Sequence, residues 1–372
     1  MPLLIIVREW AKSLNKNLII FSESLRLQWS QLIISLFIGL VGALLFAYLT
    51  LPLPWLIGPA FATTIAAMSG VKIWMPNELR IPMFFLIGAS FGLNLSPNIG
   101  EQVWLWIPSI VSVAVYVAAT VLMASAYLHY FARFDPVTAY FSATPGGLIT
   151  MLALGESYGG DVRTMALVQA VRLIATILII PLAFRLWGGY IPPDALWPQT
   201  LEASTSIKDL AILGVICVAS YFIARKLRIP APHLLGPMIA IGAFKLLGAF
   251  DSSIPHPLLS IAFLFIGTSI GASFNGVKVK EVTRTLLHGL AVGTIMIVLA
   301  VVFALGTYSF NGGSINALIL AFAPGGFAEM ALVASGLGID VVFVIAHQLA
   351  RYLMVLGLAP IAIRLIRRKS QN

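Results

Sequence analysis

Two arginines, Arg172 and Arg351, stand near the middle of long apolar runs, each three residues after a glutamine, Gln169 or Gln348. An arginine at membrane depth costs at least ~2.5–3.5 kcal/mol unless it is paired or hydrated. Upstream of each pair lies a Pro-Gly-Gly element, Pro145-Gly146-Gly147 and Pro324-Gly325-Gly326. Proline ends one half-helix and the glycines permit the chain to reverse. The half-helix that follows begins with unpaired N–H groups carrying partial positive charge. Two guanidinium groups and two such helix starts, with Thr150 one turn into the first, have the chemistry of an anion-binding site. The alternative is that each arginine caps backbone carbonyls of the opposite broken helix.

The second half carries extra titratable groups. Glu329 stands where the first half has Thr150, and His347 where it has Val168. Asp340, His347 and Arg351 are spaced seven and four apart, so on one helix they share a face. Glu329 is a candidate proton or cation site and also the natural counter-ion of Arg351 or Arg172. Asp161 and Asp340, the remaining ion-coupling candidates, sit at helix starts, where a capping carboxylate is the ordinary explanation. The five histidines show no metal-ligand spacing, and Cys217 is the lone cysteine, so no metal and no cofactor is expected.

The elements that must hold these residues are membrane helices. Of the 372 residues 59% are hydrophobic and 10% charged, with a mean hydropathy of +0.97. A soluble domain carries roughly 25% charge and could not bury so much apolar surface. Long unbroken apolar runs also exclude an outer-membrane barrel, whose strands alternate. The net charge of +9 reads as Lys and Arg in cytoplasmic loops rather than a nucleic-acid surface. An uncharged run from Leu27 to Val71, long enough for two helices with a turn at Leu51-Pro52-Leu53-Pro54, and segments at about 81–96, 104–130, 137–155 and 162–184 precede a polar stretch, and six more segments follow.

The two halves repeat each other. Pro145 and Pro324, Asp161 and Asp340, Gln169 and Gln348, Arg172 and Arg351, and Pro181 and Pro360 are all 179 residues apart. If the Pro-Gly-Gly segments enter and leave on one side, each half has five crossings and the second half is inverted. Outside the spans, 18 Lys and Arg then lie with the N-terminus and three, Arg185, Lys208 and Lys245, lie opposite. If all twelve segments cross, the split is 14 to 7, so the positive-inside rule selects inversion. The fold expected is an all-α polytopic membrane protein of two inverted repeats, each with five crossings and one broken or re-entrant Pro-Gly-Gly segment. Its regions are 1–30, a basic amphipathic interfacial helix; 31–188, the first repeat; 189–208, a linker; 209–366, the second repeat; and 367–372, a basic tail.

The paired Pro-Gly-Gly segments, the downstream Asp…Gln-x-x-Arg and the repeated Pro-x-Pro…Gly-Pro hairpins (Pro52, Pro54, Gly58-Pro59; Pro230, Pro232, Gly236-Pro237) resemble the bacterial AbrB family of membrane proteins. The resemblance covers about residues 30 to 366. It implies two AbrB duplication domains, and it carries two labels, regulator of aidB expression and ammonia monooxygenase. Inverted repeats with broken helices build secondary transporters, whose solute sites lie near the midplane. The leading expectation is therefore a transporter or exporter of a small anionic solute, proton-coupled through Glu329, and not an enzyme. The alternative is a membrane-embedded regulator of gene expression that acts indirectly. The expected partners are the solute and the lipid bilayer, not nucleic acid, with a homodimer left open. The expected location is the bacterial inner membrane, with both termini cytoplasmic.

Overall fold

A computed structural model describes residues 29–95, 97–146, 148–187, 207–248, 254–277, 279–311 and 313–370. The amphipathic segment before Trp29, most of the linker and Gly147 lie outside the described residues. The first half forms α1 (Trp29–Tyr48), α2 (Pro54–Met68), α3 (Asn77–Leu93), α4 (Ile99–Leu105), α5 (Ile107–Tyr130), α6 (Pro136–Ala143), α7 (Leu148–Ser157) and α8 (Val162–Trp187). The second forms α9 (Ile207–Lys226), α10 (Pro232–Leu246), α11 (His256–Ala272), α12 (Val279–Asn311), α13 (Ile315–Phe322), α14 (Phe327–Gly336) and α15 (Val341–Ser370). No strand occurs among the described residues. The protein is an all-α polytopic membrane protein.

The apolar surface faces outward, as lipid requires. Phe37, Val41, Leu44 and Tyr48 on α1, Val215 and Phe222 on α9, and Val298, Val302 and Leu305 on α12 are all exposed. In water, such long apolar stripes would be an aggregation hazard. Helices α1, α5, α8 and α12 are long and apolar enough to cross a bilayer. Helices α2, α3, α10 and α11 have only 15 to 17 residues, about 22–26 Å at 1.5 Å per residue. They fall short of the ~30 Å hydrocarbon core and pack on one another inside the protein.

That inner packing fixes the relation between the halves. Gly88 and Gly92 of α3 lie against Leu234 and Met238 of α10, while Gly267 and Gly271 of α11 lie against Leu56 and Thr63 of α2. A Cβ at Gly92 would come within 2.6 Å of the Met238 carbonyl oxygen, so glycine permits the backbones to touch. Numbers rise together along each pair, so α3 runs parallel to α10, and α2 to α11. The link from α2 to α3 stays at one end of the bundle. There the Ile73 N–H donates to Asn275 just past α11 (3.0 Å), and the Trp74 N–H donates to Ser35 near the start of α1 (2.8 Å). Helix α3 therefore runs back against α2. Since α10 follows α3, it opposes α2, its own counterpart in the duplication, and the repeats are inverted.

The Pro-Gly-Gly segments are hairpins that re-emerge on the side they enter. The end of α7 returns beside the start of α6: the Asp161 N–H donates to the Thr138 hydroxyl (2.8 Å), and Tyr158 stacks on Phe141. In the second half, Gly336 at the end of α14 packs on Leu53 at the opposite end of the bundle. The two hairpins thus enter from opposite faces. Their starts are capped at equivalent positions, where Asp135 accepts from Thr138 N–H (2.9 Å) and Ser314 from Ala317 N–H (3.3 Å).

Candidate functional site

Proline at the tip stops α6 and α13 after two turns, leaving their last carbonyls without helical partners. The downstream long helices supply those partners. Gln169 Nε2 donates to the Phe141 carbonyl (2.8 Å) and Arg172 to the Thr144 carbonyl (3.2 Å). Gln348 Nε2 donates to the Leu320 carbonyl (2.8 Å) and the Ala323 carbonyl (3.1 Å). Arg351 donates to the Ala323 and Gly325 carbonyls, the latter at 2.6 Å. Each arginine therefore reaches the broken segment of its own half, not the opposite one named in the capping alternative. A cation is favoured at the C-terminal end of a half-helix.

These bonds do not use up the side chains. Gln169 Oε1, Arg172 Nε, Gln348 Oε1 and Arg351 Nε are buried and have no protein partner. Exposure is 1% at Gln169, 4% at Arg172, 0% at Gln348 and 3% at Arg351. A buried polar group left unpaired costs about 1–3 kcal/mol, so four in one place need a reason. All four residues line a single cavity of about 460 Å³ between the tips.

That cavity gathers most of the candidate residues. Pro145, Gly146, Thr150, Gln169 and Arg172 line it from the first half, and Gly325, Gly326, Glu329, Gln348 and Arg351 from the second. Pro324 is part of the second tip, and Gly147 lies outside the described residues. The carboxylate of Glu329 folds back over Gly326, the N-cap of its own helix, and accepts its own backbone N–H.

The other titratable candidates stand elsewhere. His347 is buried between Trp106 and Phe343, with Nε2 2.7 Å from Ser109 Oγ and Nδ1 2.8 Å from the Phe343 carbonyl. It ties α15 to the start of α5. Asp161 accepts from Arg163 N–H (3.0 Å) and the Thr164 hydroxyl (2.5 Å), and Asp340 from Val342 N–H (3.0 Å) and Phe343 N–H (3.1 Å). Both cap the long helices α8 and α15. The Thr164 hydroxyl, aided by the neighbouring backbone N–H groups, holds the Asp161 carboxyl below its ordinary value.

Arg80 was missed by the sequence reading, which used it only as a loop charge. It lies in the first turn of α3, reaches Asn77 through a 3.2 Å bond, and lines the cavity with Nε unpaired. Its position just before an apolar segment, in one repeat only, was the available signal.

The cavity reaches one face of the protein. Arg80 at the start of α3, Pro230 and Ala231 before α10, and Ser273 and Phe274 after α11 form its outer wall. At the opposite end, Pro52 and Leu53 replace Pro230 and Ala231, are buried, and close on Gly336. Leu53 and Ala231 hold the same left-handed conformation, at φ 52° and φ 43°. A non-glycine residue there costs about 1–2 kcal/mol, and strain of this kind gathers at switch regions.

A family model described as "Transition state regulatory protein AbrB" matches residues 55–367. The chain is 28% identical over 273 residues to "Uncharacterized protein YhjN" of Bacillus subtilis (strain 168), covering 68% of this chain and 71% of that protein. It is 23% identical over 347 residues to "Putative regulator AbrB" of Escherichia coli (strain K12), covering 91% of this chain and 97% of that protein.

Proposed function

The chain belongs to the AbrB family, and from that premise we propose that it is a secondary transporter or exporter of a small anionic solute in the bacterial inner membrane. One observation carries the proposal: a cavity of about 460 Å³ at the meeting point of two inverted, broken hairpins, lined by buried guanidinium and amide groups that the protein itself leaves unpaired. Three arginines and one glutamate, Arg80, Arg172, Arg351 and Glu329, give its wall a surplus of positive charge.

An anion placed there accepts from the Arg172 and Arg351 guanidinium groups and from the first N–H groups of the half-helices, while the tip carbonyls stay bonded to the same side chains. The cavity opens on the face that carries Lys72, Arg163, Arg225 and Arg228, which the positive-inside rule assigns to the cytoplasm. This is the inward-open half of an alternating cycle. Exchanging the conformations of the two repeats closes the Ala231 side and opens the Leu53 side. The regulator name of the Escherichia coli relative fits a transporter whose solute acts on expression at a distance.

Purified protein reconstituted into liposomes tests the reading. A panel of radiolabelled metabolite anions should include one that enters against protein-free controls, and Arg172→Gln should reduce that flux at least about tenfold, one charge-assisted contact being worth about 1.5–3 kcal/mol. Equal flux through wild type and Arg172→Gln would remove the arginine from the path.

A further inference from the structure

The duplication makes the two arms of the site comparable residue by residue, and they are not used alike. Pro145 and Pro324, Gly146 and Gly325, Gln169 and Gln348, and Arg172 and Arg351 are identical pairs. Two equal arms would suit a solute with two anionic ends. Among the matched lining positions the one that changes charge is Thr150 in the first half against Glu329 in the second, while Ala170 against Leu349 and Leu173 against Tyr352 differ without changing charge.

Glu329 is the third residue of α14, and its carboxylate lies over the N-cap Gly326. That is where the half-helix most favours negative charge. The arm behind it is also the more heavily tied. Arg351 donates to two tip carbonyls and Gln348 contacts Leu320 and Ala323, whereas Arg172 and Gln169 hold one carbonyl each. Among the described lining residues, no carboxylate occupies the first-half arm.

Building on the anion-site reading above, we propose that Glu329 determines specificity by occupying the second-half anion position, so that the site takes a small monocarboxylate through the first-half arm and rejects dicarboxylates. The carboxylate of the solute accepts from the Arg172 guanidinium and the start of α7. A second carboxylate would meet Glu329, a like charge in a site of low dielectric.

The experiment measures binding of matched acids to purified full-length protein by isothermal titration calorimetry, lactate against malate and butyrate against succinate. Wild type should favour the monocarboxylate of each pair. Glu329→Thr, which restores the first-half residue, should narrow the lactate-to-malate ratio at least about tenfold, the effect of about 1.4 kcal/mol. Glu329→Gln, of nearly the same shape, should do so too and guards against a threonine variant that fails to fold. Equal affinity of wild type for both members of each pair, or an unchanged ratio in both variants, overturns the role of Glu329. Wild-type binding of neither class, or binding indifferent to Arg172→Gln, overturns the anion site itself and this role with it.

Discussion

The buried arginines of this protein hold backbone with their terminal nitrogens. Those of Arg172 and Arg351 bond the carbonyls that proline strands at the hairpin tips, and Nε stays buried without a protein partner. Gln169 and Gln348 repeat the division, with Nε2 inward and Oε1 free. Removing Gln348 should therefore hurt the fold more than removing Gln169, because it contacts more carbonyls. Gln348→Leu is expected to cost about 1–3 kcal/mol for each carbonyl left unpaired, and Gln169→Leu less. Thermal unfolding of the two variants in detergent measures the difference, and equal loss would mean that the additional Gln348 contacts add nothing. These glutamines and arginines were legible in the sequence because a fixed register repeats them. Which carbonyls they reach was not legible, since that depends on the hairpin folding back within its own half. His347 illustrates a further limit. Its heptad relation to Asp340 was readable, but the Ser109 partner, 238 residues away, was not.

At the level of elements, the hairpins carry the argument. Their tips need Gly146 and Gly325 for space. A Cβ on Gly146 would come within 2.8 Å of Met151 and 3.0 Å of Val355, and one on Gly325 within 2.5 Å of Met330. The methionines are flexible and can yield to one carbon, Val355 is stiff, and none makes room for a branched four-carbon group. Gly146→Leu and Gly325→Leu should insert into the membrane at near-normal levels yet lose most solute flux, since the added bulk falls at the cavity wall. Flux assays normalised to the amount of monodisperse protein decide this, and wild-type flux in both would separate the tips from the solute path. The broken segments were visible in advance as Pro-Gly-Gly flanked by apolar runs. The segment expected at 104–130 instead divides at Trp106 into α4 and α5, where Pro108 begins the longer helix. The pairing of α2 with α11 and of α3 with α10 could not be foreseen. Small residues mark surfaces that can approach closely, without naming the partner.

For the whole molecule, inversion turns a duplicated sequence into a device with two ends. The same motifs sit at both ends of the bundle, so a difference between the ends is one of conformation or of the positions where the repeats diverge. Ala231 leaves its end open to the cavity, while Leu53, in the same backbone conformation, closes the other on Gly336. Arg80 and Glu329, each present in one half only, lie on the open path. The direction of the repeats is the premise of all this, and it can be tested without knowing the solute. After Cys217 is replaced, single cysteines at Lys226, beyond which the chain turns into α10, and at Glu101, in α4, should lie on opposite faces of the membrane. A parallel arrangement of twelve crossings would put both on the same face. In intact cells, an impermeant maleimide should label the Glu101→Cys protein and spare Lys226→Cys until the membrane is opened. Labelling of both from outside would refute the inverted repeats and, with them, the one-sided opening of the cavity.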